Sequence, residues 1–242
     1  SGANILGLSV SRSGCLAANG RSQMHLSGDF GETWQGILYG KSYGLGDGLA
    51  IKFLSHDDSD QTIIATDANS GDLYYSNNLG KDWESATGLI DIEHSLFEES
   101  FGIHIVEEAT SNPMVLYAGY IQSKIKGQDP HQLDEIEQSP GMYKSIDGGM
   151  SWFPINNGLP DKDYSRNISD IAVSKQNENI VYINSLFDGL YYTVDGGESW
   201  NHLKGDLPAG MSWDDCGHTC VNEEGERIDM EDMEPSEMIL RK

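Results

Sequence analysis

The sequence predicts an all-β fold made of repeated four-stranded antiparallel blades, a β-propeller, and three observations carry that prediction. An eight-residue frame, Ser/Thr-x-Asp/Asn-x-Gly-x-x-Trp, recurs four times at residues 27–34, 76–83, 145–152 and 193–200. Its tryptophans are 49, 69 and 48 residues apart (Trp34, Trp83, Trp152, Trp200), and a period near 48 suits one propeller blade. The composition, with 28 glycines in 242 residues and 38% hydrophobic residues, favours short strands and tight turns over long helices.

The fourth repeat shows the blade most plainly. Residues 168–173 alternate apolar and polar side chains, as a half-buried strand does, and residues 180–183 form a β-branched and aromatic run. Asp188-Gly189 signals a hairpin into residues 190–193, and Trp200 opens a fourth strand after the box. The same plan places strands at 5–10, 15–18, 23–26 and 34–38 in the first unit, and at 49–53, 62–66, 73–75 and from 83 in the second. The third unit has them at 103–106, 114–120, 142–144 and 152–155. Blades therefore span about 3–40, 47–90, 100–158 and 167–207 within a propeller region 1–207, four being evident and a fifth partial one open. The long interval comes from a polar insertion at 122–140, with one helical turn expected at 132–137. Residues 208–242 form an acidic tail or partial blade, with ten acids against three basic residues from 214 onward and a short strand expected at 237–240.

Each position of the box has a local reason. Ser27, Ser76, Ser145 and Thr193 can close the turn with a hydroxyl, and Asp29, Asn78, Asp147 and Asp195 can accept backbone N–H groups within it. Gly31, Gly80, Gly149 and Gly197 supply a positive φ. Trp34, Trp83, Trp152 and Trp200 then pin the turn against adjacent strands.

These boxes resemble the Asp-box, or bacterial neuraminidase, repeat, over about residues 3 to 205. The resemblance implies that the boxes are structural turns remote from any active site, and that a lone box carboxylate does not hold calcium. It also implies an extracellular or periplasmic protein. Members include sialidases, xyloglucanase-type endoglucanases, sortilin-like receptors and a photosystem II assembly factor. A sialidase needs an arginine triad and usually Arg-Ile-Pro; this chain has five arginines (12, 21, 166, 227, 241) and no such motif, which argues against that activity. The assembly factor relies on a basic patch, at odds with 39 acidic against 15 basic residues and a net charge of -24.

That charge also argues against nucleic acid and anionic membranes as partners, and no apolar stretch is long enough for a membrane helix. Residues 1–4 lead directly into strand-like sequence, so no signal sequence is expected within the given residues. A secreted module recognising a glycan or protein ligand is expected, a structural subunit of an extracellular assembly is an alternative, and self-association or assembly with another propeller segment is open. For the glycoside-hydrolase alternative, which needs a carboxylate pair, Asp47 and Asp170 are the catalytic candidates. Tyr39, Tyr43, Tyr164 and Phe187 lie near expected loops and are candidates for stacking on sugars. Cys15 falls in a strand; Cys216 and Cys220 are expected to form a local disulfide, with two free thiols as another reading. No cofactor or metal is expected, although Asp215, Cys216, His218 and Cys220 have ligand-type chemistry, with Met230, Met233 and Met238 following.

Overall fold

The computed structural model describes residues 5–20, 24–37, 50–56, 61–66, 72–89, 102–121, 140–160, 166–186, 188–203, 212–213, 219–221 and 227–229. It is all-β. Blade one is β1 (Ile5–Val10), β2 (Leu16–Gly20), β3 (Met24–Ser27) and β4 (Gln35–Ile37); blade two is β5 (Ile51–Phe53), β6 (Ile63–Thr66), β7 (Leu73–Ser76) and β8 (Glu84–Ser85). Blade three is β9 (Gly102–Glu108), β10 (Leu116–Ile121), β11 (Met142–Ser145) and β12 (Phe153–Pro154); blade four is β13 (Ile168–Val173), β14 (Val181–Ser185), β15 (Gly189–Thr193) and β16 (Asn201–His202). Each is a four-stranded antiparallel meander in sequence order. The last strands are shorter than the sequence suggests. Each follows directly on a box turn, and short edge strands limit unwanted pairing.

Residues 203–242 form a separate unit. Its strands β17 (Ser212–Trp213), β18 (Thr219–Val221) and β19 (Arg227–Asp229) make a three-stranded antiparallel sheet. The expected helical turn at 132–137 and the strand at 237–240 lie outside the described residues.

Within the four-blade unit the core is a series of layers between successive blades. Met24 and Ala17 of blade one meet Ile51, Phe53 and Ile63 of blade two. Ile64 and Leu73 of blade two meet Leu116, Tyr120 and Trp152 of blade three. Tyr117 and Met142 of blade three meet Ile171, Val181, Ile183 and Trp200 of blade four. Strand alternation explains this arrangement, because successive side chains of one strand point to opposite faces and each blade thereby feeds two layers. In β10, Leu116, Ala118 and Tyr120 face blade two while Tyr117 faces blade four.

Backbone joints reinforce the layers. Trp152 N–H donates to Thr87 O at 2.9 Å and Thr87 N–H to Met150 O at 3.0 Å, so blade two's exit is tied to blade three's box. One repeat later Trp200 N–H donates to Asn157 O at 2.9 Å.

Candidate functional site

The boxes form one end of the blades. In the third, Ser145 Oγ donates to Asp147 Oδ1 (2.8 Å) and accepts Gly149 N–H (2.9 Å). Asp147 Oδ1 also accepts Ser151 N–H (2.9 Å), and Asp147 Oδ2 accepts the Ser151 hydroxyl (2.5 Å). Both carboxylate oxygens are thus engaged inside their own turn. Asp29 repeats this with Ser27 and Thr33, and Asp195 with Thr193 and Ser199. The acidities follow. The Thr33 hydroxyl and N–H, with Ser27, hold Asp29 down to about 2. For Asp195 the Ser199 hydroxyl leads the same lowering, followed by Thr193. Burial raises Asp147, but Ser151 and Ser145 outweigh it and the net shift is downward. Carboxylates held ionised by donors of their own turn are poor general acids.

Two features of the box escaped the sequence reading. Position four is left-handed in every copy: Phe30 and Leu79 at φ 58°, Gly148 at 74° and Gly196 at 75°, each followed by the expected positive-φ glycine. Position seven matters as well, because it faces the second oxygen of position three. Where position three is Asp, position seven is Thr33, Ser151 or Ser199 and donates a hydroxyl. Where it is Asn78, position seven is Asp82, and the donation reverses, Asn78 Nδ2 giving a hydrogen bond to Asp82 Oδ2 at 2.9 Å. This pairing was legible in the sequence had position seven been aligned across the four copies.

The indoles complete the clamp. Trp34, Trp83 and Trp152 Nε1 each donate to the carbonyl of their own box glycine, at 3.1, 3.0 and 2.9 Å. Trp200 instead reaches across the joint to Ile155 O of blade three at 2.6 Å.

Two crevices of about 570 Å³ lie along this boxed rim. One runs between Trp34–Gly36 and the second box (Leu79, Gly80, Lys81), the other between Phe153–Asn157 and the fourth box (Asp195–Glu198). They are the same feature repeated, the gap between one blade's last strand and the next blade's box. In the second, Lys144 Nζ donates to Gly196 O at 3.0 Å and sits 5.4 Å from the Tyr117 ring centroid. Burial lowers the Lys144 ammonium's pKa, partly offset by Glu178, Glu198 and Asp195.

Asp170 and the starts of the connections that carry the other candidates belong to the opposite end of the blades. The register pairs the start of each first strand with the end of the second: Ile5 with Gly20, Gly102 with Ile121, Ile168 with Ser185. All connections from second to third strands, and from each blade to the next, must therefore leave and return at this end. Tyr39, Tyr43 and Asp47 belong to the 38–50 connection, Tyr164 to that between blades three and four, and Phe187 to the β14–β15 hairpin. These five, and most of the 122–140 insertion, lie outside the described residues. Asp170 is described. It is exposed on β13 at a bulge between Ile168 and Asp170, with Oδ1 accepting its neighbour Ile171's N–H at 2.9 Å. Bulges recur at the same end of β1 and in the β9–β10 pair. Such irregularities bend a strand and re-aim its side chains near binding sites. His104, on β9, has its pKa lowered by burial.

Cys220 lies on β18, while Asp215, Cys216 and His218 fall outside the described residues, as does the proposed disulfide. Cys15 carries a free thiol. Among the described residues no group of three or more His, Cys, Asp or Glu is placed to hold a metal, and no helix is long and apolar enough to cross a membrane.

No protein-family model and no curated protein matches the chain. Solved structures do match in fold. An ancestral GH74 enzyme superposes with TM-score 0.62 at 18% identity, over 88% of this chain and 25% of that one. The GH74 xyloglucanase from Xanthomonas campestris gives 0.59 at 14%, over 90% and 32%. YCF48 bound to D1 peptide gives 0.50 at 15%, over 84% and 53%. The chain thus spans from a quarter to about half of these structures. At such identities the likeness establishes the β-propeller fold alone.

Proposed function

We propose that the chain is an Asp-box propeller that works outside the cytoplasm as a recognition module, binding a glycan or a protein at the blade end opposite the boxes. The observation that carries this reading is the division of labour between the two ends. At one, the box carboxylates are consumed by their own turns. At the other, the register starts and returns the connections in whose sequence Tyr39, Tyr43, Tyr164, Phe187 and the 122–140 insertion fall, beside the bulged first strands. Loops on a rigid scaffold are where binding residues concentrate. A propeller neighbour bound to a peptide, and two that are glycoside-hydrolase-family enzymes, support protein and glycan as the ligand classes to test first.

The GH74 likeness also favours a second reading, a glycoside hydrolase using Asp47 and Asp170 as a carboxylate pair across this end. A glycan array run beside a hydrolysis screen on plant and bacterial polysaccharides separates the two. Binding without turnover, weakened by Tyr164→Ala or Phe187→Ala, supports the recognition module. Turnover abolished by Asp47→Ala or Asp170→Ala overturns it in favour of the hydrolase.

A further inference from the structure

The three joints between successive blades share one backbone tie but differ in the side chains beside it. In blades two, three and four the N–H of box position four donates to a carbonyl just before the second strand. Leu79 donates to Gln61 at 3.0 Å, Gly148 to Met114 at 3.0 Å and Gly196 to Asn179 at 2.9 Å. The residue immediately before the preceding blade's box comes to the same place. Leu26 lines the first crevice with Leu79, Tyr75 feels the charge of Asp147, and Lys144 donates to Gly196 O. The joints thus carry Leu26 with Gln61, Tyr75 with Met114, and Lys144 with Asn179. Of these three pairs, the last sets a primary amine against a side-chain amide.

Gly196 lies between the two groups. A Cβ there would stand 2.6 Å from Lys144 Nζ and 2.6 Å from Asn179 Oδ1, with Asn179 Cγ at 3.4 Å. Amine nitrogen and amide oxygen are therefore no more than twice the first distance apart, across a gap that a glycine leaves open. Both ends are held. Asn179 is fixed by its carbonyl on Gly196 and by its N–H on Asn177 Oδ1 at 3.0 Å. Lys144 is half-buried over the Tyr117 ring, and that burial favours the neutral, nucleophilic amine. Glu178 and Glu198 both act on the amine, and the crevice lined by Lys144, Asn179 and Glu198 opens to solvent.

We propose that Lys144 and Asn179 are the two ends of a spontaneous isopeptide cross-link between blades three and four. The Lys144 ammonium gives one proton to solvent, and the free amine attacks Asn179 Cγ. The Nζ–Cγ bond forms, the Cγ–Nδ2 bond breaks, and Nδ2 leaves as ammonia, which solvent protonates. One proton passes from the attacking nitrogen to the leaving one, with the Glu178 and Glu198 carboxylates at hand to carry it. No oxidant, reductant or cofactor enters the balance. Holding the two groups on packed blades replaces the catalyst that such an amide exchange otherwise requires. The product ties β11 to the turn before β14 and closes the chain between 144 and 179. It therefore restricts the unfolded state as a disulfide does.

Intact-mass spectrometry of the full chain, fresh and after days at about pH 9, tests this, since higher pH leaves more of the lysine as free amine. The wild-type chain should come to a mass one ammonia below that of its sequence. Proteolysis should then release a branched peptide containing both Lys144 and Asn179. Lys144→Arg and Asn179→Ala should keep their full sequence masses with unchanged circular dichroism. Arginine retains the cation at Gly196 but is no nucleophile, so Lys144→Arg carries the test should Asn179→Ala misfold. A wild-type chain still at full mass after the incubation overturns the proposal. So does an ammonia loss that persists in Lys144→Arg, which would place the reaction at another asparagine or glutamine.

Discussion

The first and third boxes have the same internal hydrogen bonds in different surroundings. In both, the position-one hydroxyl, the position-three carboxylate and the position-seven hydroxyl close the turn, and the indole N–H reaches the box glycine within 2.9 to 3.1 Å. Yet Trp152 is 3% exposed and Trp34 is 44%. The turn is therefore a local device that forms from its own eight residues. The burial that turns it into a core element comes from the preceding blade.

Truncating the indoles tests that distinction most strongly. Trp152→Ala and Trp200→Ala each remove a buried ring from an inter-blade layer and should cost about 3 to 5 kcal/mol. Trp34→Ala, at a position 44% exposed, should cost about 1 kcal/mol or less. Urea denaturation midpoints of the three variants check this, and equal losses would remove the contrast.

The joint glycines come next. Gly88 and Gly158 have positive φ, and a Cβ there would lie 2.0 and 2.3 Å from the Trp152 and Trp200 carbonyl oxygens. Neither backbone can yield without breaking a blade-to-blade tie, so Gly88→Ala and Gly158→Ala should each cost about 2 to 4 kcal/mol. Gly28→Ala, which meets nothing within 4 Å, should be close to neutral by the same measurement.

A smaller effect probes the reversed second box. Asn78→Asp alone sets two carboxylates against each other at the contact now 2.9 Å long, and should destabilise by about 1 kcal/mol. Adding Asp82→Ser recreates the donor pattern of the other boxes and should recover most of the loss. A double-mutant cycle without coupling would sink this pairing rule.

Acid provides the mildest test. Asp29 and Asp195 have folded pKa values below the ordinary carboxylate range. Their contribution is fully present above about pH 4, the unfolded value, and is lost as pH falls through the folded ones, for Asp29 at about 2. Asp195→Asn should flatten the stability–pH slope between about pH 4 and 2 while leaving the slope near neutrality unchanged.

Much of the fold was legible because repetition makes each copy check the others. The outermost strand ends were less so: β8, β12 and β16 each contain only two residues, since pairing there depends on what the neighbouring blade leaves uncovered. At the candidate site, Asp170 and the loop aromatics could be named from residue type. That the connections carrying these aromatics start and return at one end of the blades emerges only from register, because a hairpin's sequence does not say which end of the sheet it caps. Position seven of the box was visible in the residues, but its meaning needed the oxygen it faces.

What the sequence determined by itself is the repeating unit, whose strand alternation, turn glycines and self-satisfying carboxylates act over fewer than ten residues. What only the tertiary structure decided is which copies of that unit are buried. Trp34, Leu8 and Tyr182 have the side chains of interior positions, yet they are exposed where their counterparts Trp152, Val106 and Tyr117 are buried between two blades.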